Sequence, residues 1–240
     1  MTRAKGHGKA GRRVAGVLAT GDIGGERRRG AMPRWYVLQV ERGRERTMSA
    51  LLTKVLGPEI LAEPVFQPRF ECELKVRGEY VRCTKPLVEG YLVAVSHDAE
   101  RLEKALYQVV EFTRLLGTAA GPAPLTREEV ALFGGMGEAG ERALPMSRGY
   151  KLASGRIAVT EGPLAGREAL IERVDRHKSL ARLAVTVGGE RITARAGLAL
   201  IPAPEGDTAF ERRLERMLDR RTAAAAERPE SALQPERVVA

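Results

Sequence analysis

Trp35-Tyr36-Val37-Leu38-Gln39-Val40 is the segment that decides the fold of the first half of the chain. It is dense in strand-forming residues, and apolar side chains occupy both alternating positions, a pattern typical of a central strand that is covered on both faces. Gly43 then interrupts the strand. From Glu45 to Leu56 apolar residues recur at helical spacing, and Gly57-Pro58 follows, which predicts a helix that ends there.

Further strands and helices are predicted up to residue 134. Four segments have the composition of strands: Val65-Phe66, Cys72–Arg77, Glu79–Cys83 and Gly90–Val95. They are followed by a helix from Asp98 to Tyr107, a strand from Val109 to Leu115, and a short helix through Phe133 that opens with a capping box at Thr126–Glu129. Residues 32–134 are therefore predicted to form an α+β sandwich built on one antiparallel sheet.

The second half of the chain has a different pattern. Residues 135–149 are rich in glycine, which predicts a flexible linker. Residues 150–203 contain five short candidate strands: Ile157–Thr160, Ala169–Val174, Leu180–Val187, Glu190–Arg195 and Leu198–Ile201. Short strands at this spacing favour a small closed β-barrel, because closure leaves no exposed sheet edge. Within residues 204–240, a final helix is predicted from Thr208 to about Ala226, followed by a disordered tail.

The net charge of +9 is distributed unevenly. Residues 1–31 contain eight Lys or Arg and two acidic residues, a net charge of +6, and have no apolar period, so we predict a disordered basic leader. The remaining 32 basic and 29 acidic residues leave only +3. Because Met32 lies just before the first strand, one hypothesis is that Met32 is the true start and that the leader is an upstream extension.

Several classes of function find no support in the sequence. The apolar runs are shorter than the roughly 20 residues that cross a bilayer, so we expect a cytoplasmic protein without membrane contact. Three scattered histidines and two cysteines form no zinc-ligand spacing and no catalytic set, so we predict no metal, no cofactor, no catalytic residue and no enzyme activity. Gly6–Gly11 and Gly135–Gly140 match the G-x-G-x-x-G pattern, but neither has the strand before it and the helix after it that a dinucleotide site requires.

The predicted barrel is the better candidate for contact with RNA. Residues 148–203 contain ten basic and five acidic residues, a net charge of +5. His177 lies in a basic hairpin turn, Asp175-Arg176-His177-Lys178, and compact cations on a rigid turn suit a phosphate backbone. The alternative interpretation is a solvated turn without a ligand. The predicted RNA-binding residues are Arg173, Arg176, His177, Lys178 and Arg182.

Several segments resemble the NusG family of transcription factors, in which an N-terminal (NGN) domain precedes a KOW domain. Residues 35–40 resemble the opening strand of the NGN domain, Gly90-Tyr91-Leu92-Val93 resembles its Phe-Pro-Gly-Tyr-hydrophobic strand, and Ala123–Glu129 resembles the start of its final helix. Gly155–Val159, Glu161–Gly166 and Ile171–Asp175 resemble the KOW motif. The resemblance covers about residues 34–203 and includes both domains in the family's order.

The resemblance implies an NGN domain at residues 32–134, an SH3-like KOW barrel at residues 150–203, and a monomeric elongation factor. Such a factor binds the clamp helices of RNA polymerase, holds the cleft closed around nucleic acid and disfavours pausing or termination. The implied contact is a patch of exposed apolar side chains. Its predicted members are Trp35, Tyr36, Phe66, Pro68, Val88 and Tyr91.

Two departures from the family pattern bear on the partners. Val88-Glu89 stands where the family usually has an aromatic-proline pair, which implies an altered contact with the clamp. Gly188–Arg191 lacks the aromatic residue with which relatives touch a ribosomal protein or the terminator Rho. The missing aromatic residue, together with the basic turn, makes the chain most similar to LoaP-type processive antiterminators, which engage structured leader RNA through the barrel. The alternatives are a housekeeping factor whose barrel binds a ribosomal protein or Rho, and a ribosome-associated KOW protein without polymerase contact.

Overall fold

β1 (Arg34–Val40) lies between two partner strands in a four-stranded antiparallel sheet, which confirms the central strand predicted from its apolar residues on both faces. The computed structural model describes residues 32–109, 113–134, 142–204 and 206–226. We refer to residues 32–134 as the head. After β1 the head contains α1 (Glu45–Ile60), β2 (Leu61–Phe66), β3 (Arg69–Val76), β4 (Glu79–Pro86), β5 (Tyr91–Ser96), α2 (Ala99–Leu106), β6 (Thr113–Leu115), β7 (Gly117–Thr118), β8 (Gly121–Pro122) and α3 (Arg127–Leu132).

The main sheet of the head has the strand order β2-β5-β1-β6. α1 and α2 supply the apolar side chains that bury one of its faces. α1 is interrupted at Gly57, whose φ of 63° and ψ of 177° are not helical, so its regular part ends at Leu56 as predicted. The core beneath the two helices includes Tyr36, Leu38, Val40, Met48, Leu52, Leu56, Leu92 and Leu102.

The short helix α3 begins as the sequence predicts. The Thr126 hydroxyl accepts a hydrogen bond from the backbone N–H of Glu129 at 3.2 Å, and the Glu129 carboxylate accepts one from the backbone N–H of Thr126 at 2.7 Å. These two bonds satisfy N–H groups that the first turn of a helix leaves unpaired. α3 buries Leu132, and the next residue, Phe133, is also buried.

The prediction of one antiparallel sheet in the head is wrong, because β3 and β4 pair in a second sheet. Pro68 lies between β2 and β3 and cannot donate a backbone hydrogen bond to a ladder, and its carbonyl instead accepts a hydrogen bond from Leu87 N at 2.9 Å. The long β3–β4 hairpin therefore leaves the main sheet. β9 (Ala143–Leu144) then pairs in parallel with β3.

The second half of the chain folds around a five-stranded sheet, which we refer to as the barrel. Its elements are β10 (Ser147–Lys151), β11 (Ile157–Glu161), the 3-10 helix Glu168–Leu170, β12 (Ile171–Asp175), β13 (Leu180–Val187) and β14 (Glu190–Ile201), and α4 (Thr208–Ala226) follows it. The strand order is β11-β10-β14-β13-β12. β10 and β14 pair in parallel, and the other pairs of neighbouring strands are antiparallel. The 3-10 helix contacts both β11 and β13.

The observed strands of the barrel differ from the predicted ones at three places. The predicted strand Ala169–Val174 begins in the 3-10 helix and is a strand only from Ile171. Glu190–Arg195 and Leu198–Ile201 were predicted as separate strands but form one continuous strand, β14. The predicted linker 135–149 is only partly described, and its described end contains β9 and the start of β10. β10 was not predicted because Gly149 was counted as part of a glycine-rich linker. In the structure, a Cβ atom at position 149 would lie 2.4 Å from the carbonyl oxygen of Ala158 on β11. Glycine is therefore the residue that this strand pairing permits.

The apolar cores explain how the parts are held together. A large cluster of buried side chains begins on the second face of the head sheet, at Val37, Val93 and Val95, and continues into the interior of the barrel at Leu183 and Val185. A smaller cluster joins α4 to the barrel and contains Leu152, Ala158, Leu214 and Leu218, with Tyr150, Phe210 and Met217 packed against it. The predicted helix from Thr208 to about Ala226 is thus confirmed, and it packs against the barrel.

Some predicted features lie outside the described residues. They are the basic leader of residues 1–31, both G-x-G-x-x-G stretches and the C-terminal tail beyond residue 226. Within the described ranges, no helix combines the length and the apolar composition needed to cross a membrane.

Candidate binding surfaces

The six residues predicted to bind polymerase do not form an exposed patch. Val88 and Pro68 are buried, and Trp35, Phe66 and Tyr91 are half-buried. Val88 belongs to the large apolar cluster that continues into the barrel, and Trp35, Phe66 and Tyr91 pack against that cluster. Pro68 and Tyr36 do not. Tyr36 lies on the opposite face of the sheet, buried beneath the helices, so its assignment to the same surface is wrong. Residues 35 and 36 are neighbours in one strand, and successive side chains of a strand point to opposite faces.

Trp35 and Phe66 form an aromatic pair capped by a cation. Their ring centroids are 5.3 Å apart at an interplanar angle of 79°, an edge-to-face arrangement. The guanidinium carbon of Arg142 lies 4.6 Å from the Trp35 ring centroid and 5.0 Å from that of Phe66. Arg142 also forms an ion pair with Glu63 at 2.7 Å, in which both side chains are largely buried. The segment that leads from the head to the barrel is thus anchored on the aromatic pair.

The barrel lies against the head through β14 and the loop before β5. The backbone N–H of Arg195 donates to the carbonyl of Leu87 at 2.8 Å, and the Arg195 side chain pairs with the carboxylate of Glu89. A second ion pair joins Arg114 of β6 to Glu190, the first residue of β14. Val88, between these contacts, is buried. The Val88-Glu89 sequence that departs from the family pattern is therefore part of the contact with the barrel.

Two glycines of the barrel mark the closest approach to the head. A Cβ atom at Gly197 would lie 2.3 Å from the carbonyl oxygen of Glu71 on β3, closer than any side chain tolerates. A Cβ atom at Gly188 would lie 3.0 Å from the backbone nitrogen of Gly117. Gly188 belongs to the Gly188-Gly189 turn, where both φ values are positive as predicted. The backbone contact at Gly197 therefore requires a residue without a side chain, whereas a side chain at Gly188 would be tight and strained by its positive φ.

The loop that carries Glu89 is held from the other side by a buried carboxylate. Glu45, at the start of α1, is 8% exposed and accepts hydrogen bonds from the backbone N–H groups of Gly90 at 2.7 Å and Gly43 at 2.9 Å. Gly90 has a φ of 80°, a conformation that glycine adopts without strain. Sequence reasoning missed Glu45 and the partner of Glu89, since a single carboxylate in a sequence gives no signal of a partner 45 or 106 positions away.

The five residues predicted to bind RNA lie together at one hairpin. Arg173 on β12 and Arg182 on β13 are directly paired across the strands, and both are exposed. Arg176, His177 and Lys178 form the exposed turn between those strands. Asp175 shapes this turn: its Oδ1 accepts from the backbone N–H groups of His177 at 3.1 Å and Lys178 at 3.2 Å. The structure therefore brings together all five residues on one compact cationic surface.

This cationic surface continues towards the head as a row of arginines. Arg182 is paired with Arg173 on one side and with Arg195 on the other, so the three occupy one cross-strand row on β12, β13 and β14. Like charges placed directly opposite each other destabilise a sheet by tenths of a kcal/mol to about 1 kcal/mol. Glu89 neutralises only the Arg195 end of the row. A bound polyanion would neutralise the rest.

Burial perturbs the acid-base behaviour of two tyrosines of the head. The pKa of Tyr91 is raised, chiefly because the side chain is desolvated, with a smaller contribution from Glu190 of the barrel. The pKa of Tyr36 is raised for the same main reason. Both phenols are therefore neutral near physiological pH. Within the described ranges, no group of three or more metal-binding side chains occurs.

Comparison with known proteins gives a consistent result. Residues 33–133 match the sequence model of a family described as "Transcription termination factor nusG". The chain is similar to the "Transcription termination/antitermination protein NusG" of Vibrio parahaemolyticus serotype O3:K6, with 28% identity over 163 residues that cover 65% of this chain and 87% of that protein. It is also similar to the protein of that name from Campylobacter jejuni, with 24% identity over 160 residues that cover 65% of this chain and 89% of that protein. A solved structure described as "Domain interaction in Thermotoga maritima NusG" aligns at 15% identity and a TM-score of 0.39, covering 67% of this chain and 91% of that chain.

Proposed function

Because this chain belongs to the NusG family through its domain at residues 33–133, we propose that it is a specialised processive antiterminator. Its head binds the clamp helices of RNA polymerase, and its barrel binds a structured leader RNA. The observation that carries this proposal is the pairing of two complementary surfaces in one chain: an apolar head face with aromatic residues, and a hairpin with five exposed basic residues.

The polymerase surface in this proposal is the second face of the head sheet. It contains Trp35, Phe66, Val88 and Tyr91, and the proposal extends it to Pro68 between β2 and β3. Tyr36 supports it from the opposite face. In the described arrangement the barrel is packed against this face. Binding of polymerase therefore requires that the barrel separates from the head. The aromatic and aliphatic side chains that pack against the barrel would then be buried against the clamp.

The ion pairs at the edge of the interface between head and barrel are exposed, which supports such a separation. The side chains of the Glu89–Arg195 pair are 51% and 36% exposed, and those of Arg114 and Glu190 are 48% and 40% exposed. Exposed ion pairs typically contribute about 0–1 kcal/mol each, so they fix the orientation of the barrel without holding it firmly. After separation, the barrel stays covalently attached, so RNA bound to the barrel remains close to the polymerase.

The polymerase contact is tested by titrating the full-length protein with core RNA polymerase from the same source. We expect saturable binding that Phe66→Ala weakens at least tenfold, because truncation removes one ring of the aromatic pair in the proposed surface. The matched control is Tyr107→Ala at the C-terminal cap of α2, which removes an aromatic ring that is 82% exposed and lies outside the surface. Equal affinity of the two variants, with circular dichroism confirming that both are folded, would contradict the proposed surface.

The antitermination role is tested by transcription through an intrinsic terminator placed downstream of the leader sequence of the protein's own transcription unit. We expect the full-length protein to raise readthrough on this template and not on one with an unrelated leader. Substitution of Arg173, Arg176 and Lys178 by Gln should abolish the difference between the templates. Equal readthrough on both templates would instead support a general elongation factor, and recovery of a ribosomal protein or Rho by the barrel would support the housekeeping alternative.

A further inference from the structure

A second cationic site lies away from the hairpin, between α4 and β11. The two elements enclose a groove of about 480 Å³. It is lined by Thr160 of β11 and by Arg213, Leu214, Arg216, Met217, Arg220 and Arg221 of α4. Four of these seven residues are arginines. The groove is formed by a helix that follows the region resembling NusG proteins, so the family function does not account for it.

The charges of α4 are sorted onto two flanks of the helix. Glu211, Glu215 and Asp219 recur every four residues and therefore share one flank. On that flank, Nη1 of Arg156 in the barrel lies 2.6 Å from Glu215 and 2.8 Å from Asp219. The two carboxylates raise the pKa of Arg156, with Asp219 contributing most. The acidic flank is thus used to attach the helix to the barrel.

The arginine flank serves attachment only through its last member. Arg221 pairs with Glu168 and donates to the carbonyl of Val159 at 2.8 Å, which fixes it in the wall of the groove. Arg213, Arg216 and Arg220 are exposed, and among the residues that the structure describes none of the three forms an ion pair. Their spacing of three and four residues places them along one line of about 10 Å.

We propose that this groove binds the phosphodiester backbone of a nucleic acid. Guanidinium groups bind phosphate oxygens in a bidentate manner, and three of them in line match a ligand with regularly repeated charges. A membrane surface is disfavoured, since insertion requires an exposed apolar helix face and Leu214 and Leu218 are 3% and 4% exposed against the barrel. An acidic peptide is disfavoured because the apolar residues of the lining, Leu214 and Met217, are packed against the barrel and form no pocket for an anchoring side chain.

The groove and the hairpin are separate sites with separate consequences. The groove has no residue in common with the RNA surface at Arg173–Arg182. The inference rests on the proposed function only in the choice of RNA as the first probe. A leader RNA held by the hairpin is a long polyanion, and a second contact in the same molecule would add affinity that does not depend on sequence.

The test is a fluorescence-anisotropy titration of the full-length protein with a labelled 20-nucleotide single-stranded RNA of unrelated sequence at several NaCl concentrations. We expect substitution of Arg213, Arg216 and Arg220 by Gln to weaken binding roughly tenfold at low salt. The slope of log K against log salt should become shallower by about 2, because each phosphate contact removed from a single strand contributes about 0.7. The matched control replaces Lys54, Arg101 and Lys104, three exposed cations of α1 and α2, by Gln.

Further variants separate the possible causes. Substitution of the three arginines by Lys keeps the charge but removes the guanidinium forks, so it should restore most of the slope and only part of the affinity. The hairpin variant with Arg173, Arg176 and Lys178 changed to Gln should keep the contribution of the groove. A duplex DNA of equal length distinguishes a general phosphodiester site from one that prefers RNA.

Three results would overturn the inference: unchanged binding in the groove variant, an equal loss in the α1 and α2 control, or binding of a labelled poly-glutamate peptide with no detectable binding of either nucleic acid. If the hairpin variant alone loses RNA binding, the proposed function stands and the groove inference fails. If the groove variant alone loses it, the groove inference stands and the hairpin assignment fails.

Discussion

Glu89 of the head and Arg195 of the barrel form an ion pair between residues 106 positions apart in the chain. The same two segments are also joined by a backbone hydrogen bond from Arg195 to Leu87. In the NusG-type pattern, position 89 belongs to the segment expected to face polymerase. Here its carboxylate faces an arginine that belongs to the cationic row of the barrel. This one ion pair therefore joins the proposed polymerase-binding surface of the head to the proposed RNA-binding surface of the barrel.

Charge reversal at this pair should shift the barrel away from the head. We expect Glu89→Lys to increase hydrogen exchange of the backbone N–H of Arg195, because repulsion replaces an attraction of about 1 kcal/mol or less. The double variant Glu89→Lys with Arg195→Glu should recover the protection. Hydrogen-exchange mass spectrometry of the peptide covering residues 190–201 measures this. Arg191→Glu is the control, since Arg191 pairs at 2.5 Å with Glu172, another residue of the barrel, and not with the head.

A larger separation is expected from Gly197→Ala. The added Cβ would lie 2.3 Å from the carbonyl oxygen of Glu71, so the head and barrel backbones cannot keep their present distance. The radius of gyration from small-angle scattering should increase. Gly189→Ala is the control on the same hairpin: its φ of 82° makes alanine strained, but nothing lies within 4 Å of the new Cβ. An equal increase in both variants would show that loss of barrel stability is the cause.

The elements that were predicted correctly are those whose signals are local. The strand of residues 34–40, the helix of residues 208–226 and the capping box at Thr126 depend on periodicity or on residues within one turn. β10 was missed because its glycine is explained only by the neighbouring strand. The single sheet predicted for the head was wrong because the departure of the hairpin at Pro68 depends on tertiary contacts.

For the candidate surfaces, too, features with local signals were predicted correctly and features that depend on tertiary contacts were not. The hairpin residues were predicted as a group because a tight turn necessarily brings both flanking strands together. Tyr36 was misplaced although strand alternation already assigns it to the face opposite Trp35. The burial of Val88 and the Glu89–Arg195 pair depend on how segments far apart in the chain pack together, and no local pattern encodes that contact.

Cys72 should make stability depend on pH in the alkaline range. Burial raises the pKa of its thiol from 9.0 to about 11, assisted by a contact of 2.9 Å with the Cys83 thiol. Since the folded state holds the proton more tightly, the stabilisation is complete below pH 9 and is lost as the pH rises through 11. Between these values, the urea midpoint of the wild type should fall more than that of Cys72→Ala. Because burial is the main cause, Cys83→Ala should behave like the wild type; a profile like that of Cys72→Ala would assign the shift to the thiol pair.

The docking of α4 should depend on its two most buried leucines. Leu214→Ala combined with Leu218→Ala removes apolar packing against Leu152 and Ala158 and should reduce the stability of the docked state relative to the undocked state by several kcal/mol. We expect rapid proteolysis within residues 208–226 while the barrel resists cleavage. The pair Ala223→Gly and Ala224→Gly, at exposed positions, tests helix propensity alone and should cause a smaller change.

The arginine row predicts that opening of the head-barrel contact increases affinity for RNA. Arg195 lies beside Arg182, but its guanidinium is neutralised by Glu89 in the described arrangement. Gly197→Ala should release Arg195 and thus add a cation to the row. We expect this variant to bind the leader RNA several-fold more tightly than the wild type, with a salt slope steeper by about 0.7.

Two further variants decide whether Arg195 is the cause of that gain. Arg195→Gln in the Gly197→Ala background should remove both the extra affinity and the extra slope, because the added phosphate contact is then absent. Glu89→Gln alone should reproduce part of the gain, since it removes the competing carboxylate while leaving the backbone contact at Leu87 intact. If Gly197→Ala gains affinity and Arg195→Gln does not reverse it, opening must expose another part of the barrel, and the row ends at Arg182.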